Sequence, residues 1–299
     1  MAYEAKIIAD SISKAGDRLT TFQVTFPRIV LAEFNTHRAL SKNSASSRAI
    51  PVEKQILKLE KDPFVPEYWG KNQKGMQAEE EINFGDTILA KRAWLDARDE
   101  AISAVKSLQQ LGVHKQITNR LLEPFMWQTV VCTGTEYSNF FALRANSMAQ
   151  PEIRVIAEMM KELYATSKPR KLYTNEWHLP YVSEDEQDEF LKYATEHDLY
   201  GSDIQKISAA RCARVSYLTQ EGKRDLQADL DLYERLAGSG HLSPLEHVAT
   251  PHYVHLHNGY SSSMSGNFRG WKQLRKFIPH EEDFGKADDE RRANSIESG

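Results

Sequence analysis

The sequence predicts a globular chain that mixes α-helices with β-strands, and three observations point there. Phe22, Val24 and Phe26 alternate with Thr21, Gln23 and Thr25, the two-residue period of a half-buried strand. From about Asp86 to Leu111, Ile88, Leu95, Ile102 and Val105 help to form an apolar stripe that stops at Gly112, as a long helix does. After Pro151, Ile153, Ile156, Ala157, Met160, Leu163 and Tyr164 recur at helical spacing, with proline at the favoured first position.

A chain of 299 residues, 40% hydrophobic and 27% charged, has the composition of a soluble globular protein and can bury a large core in one domain or two. Its formal charge of -4 and pI near 6.2 argue against a nucleic-acid polymer as partner, since phosphate neutralisation calls for a basic surplus. A small phosphorylated ligand in a local basic pocket is compatible with both numbers. Only Cys132 and Cys212 are present, so neither a disulfide framework nor a cysteine zinc site is expected, and both sit in apolar runs that suit packed small residues. No metal site is expected. Met1 to Lys6 lacks the basic and apolar regions of a signal peptide, and no apolar run approaches membrane-spanning length, so a cytoplasmic location away from membranes is expected.

In chain order, Lys6 to Ala9 and Thr20 to Phe26 read as strands joined by a turn through Ala15-Gly16-Asp17. Pro27 then suits the start of a helix from Arg28 to about Leu40, with His37 and Arg38 at its end. A short helix and an irregular excursion fill Val52 to Gly85, broken by Pro63, Pro66, Gly70 and Gly75. His114, after the long helix, takes a capping or surface role. Leu121 to Thr133 is apolar around Pro124, Gly134 interrupts it, and Glu136 to Arg144 resumes. Lys168 to Tyr200 carries the acidic run Ser183 to Glu189 and reads as a solvated connector. Leu226, Leu230, Tyr233 and Ala237 line a helix ended by Gly238 and Gly240. A strand over Thr250 to Leu256, a Ser/Gly loop over Asn258 to Gly266, a basic helix over Asn267 to Lys276 and a frayed charged tail complete the chain.

Two stretches suit an anion. Asn35 to Arg48 and Ser147 to Arg154 both place small hydroxyl residues and backbone N–H groups beside permanently charged guanidiniums, a combination fitted to phosphate. On physical grounds alone the first reads foremost as a polar surface loop after a helix, since Ser and Asn are ordinary turn residues. Arg154, in the first turn of its helix, suits either an ion pair with Glu158 or an anion drawn to the helix N-terminus. Ser243-Pro244-Leu245-Glu246 has the spacing of a capping box opening a further helix, which accounts for Ser243 and Glu246 without a ligand and leaves His241 unexplained.

Three segments together resemble the flavin-dependent thymidylate synthase family. Thr36-His37-Arg38, Ser41, Asn43, Ser46 and Arg48 are similar to its arginine-serine signature R-H-R-x-x-S-x-N-x-x-S-x-R. Asn139 to Arg144 with Ala149-Gln150 and Glu152-Ile153-Arg154 resembles a second block. Ala210 to Tyr217 with Gly240 to His247 resembles a third. The third block usually precedes the signature; here it follows it, so the chain resembles a rearranged or partly duplicated member of the kind associated with phages.

The resemblance implies an α+β fold, a mixed or antiparallel sheet with flanking helices, in a homotetramer whose flavin sites draw on several subunits. It implies reductive methylation of dUMP with FAD as cofactor and NADPH and methylenetetrahydrofolate as co-substrates. His37, Arg38, Arg144, His241, Ser243 and Glu246 would contact FAD. Ser44, Ser46 and Arg48 would hold the nucleotide phosphate, and Arg154 would face the pyrimidine carbonyl and stabilise the charge that develops there. Glu33 stands where a glutamine often reaches the nucleotide, and a carboxylate there suits an exocyclic amino group. Thr36 replaces an arginine, Ser44 a glutamate and Ala142 an asparagine of many members. A dUMP hydroxymethylase, a dCMP-acting enzyme and a non-catalytic nucleotide-binding protein are the alternatives. The expected organisation is a lobe over 1–169 with the signature and the helical insertion, an acidic connector over 170–203 and a second lobe over 204–299, both lobes forming one catalytic unit.

Overall fold

The computed structural model describes residues 3–75, 77–196, 203–216, 225–252, 265–283 and 285–286. Its described strands are β1 (Glu4–Ser13), β2 (Arg18–Pro27), β3 (Ser41–Ser44), β4 (Trp127–Gly134), β5 (Arg170–Leu172), β6 (Ala249–Pro251) and β7 (Trp271–Gln273). Its described helices are α1 (Leu31–Asn35), α2 (Val52–Lys61), α3 (Phe84–Gln110), α4 (Lys115–Thr118), α5 (Ser138–Arg144), α6 (Pro151–Thr166), α7 (Glu184–Glu196), α8 (Asp203–Ala213) and α9 (Leu226–Gly238). No described helix is long and apolar enough to cross a membrane.

The first two strands form an antiparallel hairpin that turns at Gly16, whose φ of +94° a side chain would resist. Strand β4 pairs antiparallel with β2 (Phe22 opposite Cys132), β3 adds antiparallel to β4 at one edge, and β5 adds parallel to β1 at the other. The result is a five-stranded mixed sheet in the order β3-β4-β2-β1-β5 with helices against it, the α+β architecture expected.

Phe22, Val24 and Phe26 turn toward α1, α5 and α6 and pack with Phe34, Phe140, Ile153, Ile156 and Met160. The alternate residues of β2 are not at the surface. Thr21, Gln23 and Thr25 are buried too: Thr25 meets Thr129 of β4 at 3.0 Å, and chain from the second half of the sequence covers the other two, the Tyr181 hydroxyl donating to Gln23 Oε1 (2.7 Å) and Thr21 lying 2.8 Å from His178 Nε2. Strand β2 is therefore covered on both faces, where the alternation predicted one. On the second face a file of buried hydrogen bonds runs from Ser11 to His178 Nδ1 (2.8 Å), from His178 Nε2 to Thr21, on to Thr133 (2.7 Å) and to His247 Nδ1 (2.7 Å).

Four expected elements differ. The helix predicted over Arg28 to Leu40 is a 3-10 turn (Arg28–Val30) and the five-residue α1; the Thr36 hydroxyl takes the Glu33 carbonyl at 2.6 Å, and Ser41–Ser44 then pairs antiparallel along the edge of β4. The serine-rich stretch is thus partly an edge strand. Residues Ser243–His247 form a 3-10 turn with no side-chain cap, so the capping box does not form. Trp271–Gln273 pairs with β6 in place of the basic helix predicted over Asn267 to Lys276. The acidic run is no plain connector: it opens α7, and Glu186 accepts from the buried Arg211 at 2.9 Å, while Arg211 also reaches Asp229.

The long helix forms as expected, but only Ile102 and Val105 of its stripe are buried, against α2 and the Asn119–Phe125 turn; Ile88 is exposed. His114 caps α4 by accepting from the Gln116 amide, matching its capping assignment. The strand predicted over Thr250 to Leu256 and the Ser/Gly loop lie mostly outside the described residues, as does most of the charged tail.

Candidate active site

Between α1 and β3 the chain turns sharply, and the end of α5 comes up beside it. This makes a small pocket of about 250 Å³ lined by Thr36, His37, Arg38, Asn139, Phe140 and Arg144, among others. Arg144 Nε donates to His37 Nε2 at 3.0 Å, and the imidazole stands edge-on to Phe140. Burial, then the positive charges of Arg144 and Lys42, push the His37 pKa down to about 4. His37 is accordingly neutral at neutral pH, and because its Nε2 accepts from Arg144 its own proton sits on Nδ1. Arg38 is exposed at the mouth of the pocket. Lys42 donates to the carbonyls of His37 (2.5 Å) and Leu40 (3.2 Å), holding the turn that presents both residues.

The third block meets the signature on β3. Asn43 Nδ2 donates to the Cys212 carbonyl (2.8 Å), the Ser243 hydroxyl lies 3.5 Å from Asn43 Oδ1, and Gln273 Nε2 reaches both Ser41 Oγ (3.4 Å) and the Glu246 carbonyl (3.2 Å). Segments two hundred residues apart thus share one sheet edge. The Glu246 carboxylate, expected on a cofactor, is instead bound by Arg275, which also holds Glu281; an ion-paired carboxylate is a poor candidate for a free ligand contact. His241 is exposed, and its backbone N–H closes the end of α9 on Leu236. Ser44 and Ser46 are half-buried and Arg48 exposed; between the last two, the Ser47 hydroxyl donates to Glu123, which also pairs with Arg28 and anchors the loop.

Arg154 lies elsewhere on the protomer. It projects from the first turn of α6 into a cleft of about 870 Å³ whose walls include Ser147 to Glu152, Tyr68 and Trp69. Glu158 stands 3.8 Å from its Nε, so the ion pair and a cleft position coexist. Glu33, half-buried on α1, has one carboxylate oxygen shielded from solvent and without a hydrogen-bond partner among the described residues.

Within one chain the structure therefore brings together His37, Arg38 and Arg144 in a pocket and Asn43 with Ser243 on β3, while Arg154 occupies its own cleft. Lys42, Asn43 and the aromatic excursion around Trp69 went unassigned from the sequence; the alternation of β3 was too short to read, and the excursion carried no periodic signal. Both cysteines are fully buried, and burial pushes the Cys132 thiol up to about 11 and raises Cys212 as well, so neither is a nucleophile. No cluster of metal-ligating side chains is found among the described residues.

The sequence profile of the thymidylate synthase complementing protein family matches residues 19–170. Two crystal structures of a UMP/dUMP methylase PolB from Streptomyces cacaoi, bound with 5-Br UMP and with 5-Br dUMP, align with this chain. Their identities are 17% and 18%, each alignment covers 55% of this chain and 89% or 90% of theirs, and the TM-scores are 0.45 and 0.46. Comparison with curated proteins by sequence finds no match.

Proposed function

The chain belongs to the thymidylate synthase complementing protein family, and from that premise we propose that it is a flavin-dependent thymidylate synthase converting dUMP to dTMP with methylenetetrahydrofolate and NADPH. The observation that carries the proposal is the meeting of three distant segments: the signature with the second block at His37 and Arg144, and with the third at Asn43 and Ser243.

The donor set fits an anionic, carbonyl-rich cofactor such as FAD. Arg38 and Arg144 supply guanidinium N–H groups beside a neutral imidazole, and the pocket of about 250 Å³ takes part of such a molecule, the remainder resting on neighbouring protomers of a tetramer. When bound, FAD supplies the reducing equivalents drawn from NADPH. The chain's own work is binding, orientation and charge. Ser44, Ser46 and Arg48 hold the nucleotide phosphate, with the loop stiffened from behind by Ser47 and Glu123. Arg154 adds a permanent charge to the N-terminus of α6 and stabilises negative charge as it builds on the pyrimidine carbonyl.

One observation favours a second reading. A glutamate stands at position 33 on α1, and its carboxylate, turned out from the enclosed position it holds within the chain, would accept a hydrogen bond from the amino group of cytosine and would repel a uracil carbonyl, which suits a dCMP-acting enzyme. One experiment separates the two: the protein with FAD, NADPH and methylenetetrahydrofolate is given dUMP or dCMP, and the nucleotide is weighed by mass spectrometry. A methylated product from dUMP is expected. A modified product from dCMP alone selects the second reading, and protein that neither binds flavin nor changes either nucleotide overturns both.

A further inference from the structure

In the excursion between α2 and α3, residues 68–71 and 77–82 form a hydrogen-bonded ribbon. Ile82 N–H donates to the Trp69 carbonyl (3.0 Å), Lys71 N–H to the Glu80 carbonyl (2.7 Å), and the Tyr68 hydroxyl to the Ala78 carbonyl (2.8 Å). Gly70 permits this closure, because a Cβ there would lie 2.2 Å from that of Ala78. From the tip, Gln77 Nε2 donates to the Met148 carbonyl at 3.0 Å, tying the ribbon to the loop that leads into α6. Trp69 is braced edge-on by Trp94, whose own indole N–H is taken by the Phe64 carbonyl at 2.8 Å. The Trp69 indole N–H has no acceptor among the described residues. Trp69 and Tyr68 line the same cleft as Gln150 and Arg154, and its volume of about 870 Å³ falls within the range of small-molecule sites.

We infer that this ribbon is a substrate-binding element, and that Trp69 forms the aromatic wall against which the nucleobase is held for Arg154. The inference rests on the function proposed above and deepens it. A guanidinium fixes a heterocycle through its carbonyl edge but controls its tilt poorly; an aromatic wall in the same cleft restricts the remaining freedom, and every base has a π-face to offer it. Because Trp69 is braced by Trp94 and the ribbon is pinned at Gln77, that wall stands ready before the ligand arrives.

The test is dUMP binding to the FAD-loaded protein by titration calorimetry, with steady-state kinetics alongside. Stacking on a base contributes enough that Trp69→Ala is expected to weaken dUMP binding by about tenfold or more, with the FAD content kept. Trp69→Phe keeps an aromatic face and is expected to recover most of the affinity. Gln77→Ala, which frees the ribbon tip without touching the aromatic wall, is expected to raise KM several-fold more than it lowers kcat. If Trp69→Ala does not fold, the Gln77→Ala split decides. Wild-type protein that binds dUMP while Trp69→Ala binds it within about twofold overturns the inference and leaves the functional proposal standing, as does an unchanged KM in Gln77→Ala. Wild-type protein that binds no pyrimidine nucleotide overturns the proposal and the inference with it.

Discussion

Acid should loosen this protein through two histidines that touch no proposed ligand. His178 and His247 are completely buried on the polar face of the sheet, and burial lowers each pKa to about 3, with each other's proximity adding to the effect at His247. Neutral rings suit the file of hydrogen bonds to which both belong. If His178 donates from Nδ1 to Ser11, then Thr21 donates to its Nε2, Thr133 donates to Thr21, and His247 donates from Nδ1 to Thr133. That direction leaves His247 Nε2, which has no partner among the described residues, as a bare lone pair; the reverse direction would strand an N–H, the costlier group to bury.

In the unfolded chain both rings titrate near 6.5. Their folded values lie below that, so the unfolded state binds more protons between about pH 6.5 and pH 3. The stability contributed by the neutral rings is complete above pH 6.5 and is lost as pH falls through that window. Each ring accounts for up to about 1.4 kcal/mol per pH unit, or about 2 kcal/mol between pH 7 and pH 5. Two rings amount to about 4 kcal/mol, a large share of the 5–15 kcal/mol of a typical domain. Urea unfolding at pH 7 and pH 5 measures the difference. In His247→Gln the absolute stability falls at both pH values, but the loss between them should shrink by about 2 kcal/mol, since contributions common to both proteins cancel. An unchanged loss in the variant would refute the assignment of a neutral, buried His247.

Three further outcomes are expected. Arg154→Ala should retain bound FAD and its thermal midpoint, because the Glu158 pair at 3.8 Å is loose and partly exposed, yet lose product formation about 100-fold or more; near-normal kcat removes Arg154 from the reaction. Arg48→Ala should raise the KM for dUMP about tenfold with kcat changed little, as expected for a charge-assisted phosphate contact, and an unaltered KM would place the phosphate elsewhere. Asn43→Ala strips the buried Cys212 carbonyl of its side-chain donor and should cost about 1–3 kcal/mol in urea unfolding; no loss would mean that water replaces the amide.

Much of the architecture was legible because it is local. The apolar spacing after Pro151 yields α6, the long helix ends at Gln110, two residues before its predicted stop at Gly112, and Phe22, Val24 and Phe26 do share one buried face. The signature, the second block and the third block were recognisable as residue patterns, and His37, Arg38 and Arg144 do converge.

What sequence patterns could not carry was decided by partners far along the chain. Thr21 and Gln23 look like solvent-facing residues of β2, and they are buried because His178 and Tyr181 arrive from the other half of the molecule to satisfy their polar groups. Ser41–Ser44 looks like a loop and becomes a strand because β4 offers an open edge. Ser243 and Glu246 have the spacing of a helix cap, but Asn43 and Arg275 lie close enough to engage them first. In each case local propensity is worth a fraction of a kcal/mol per residue, and a buried hydrogen bond or ion pair left unmade costs more, so tertiary contact sets the outcome.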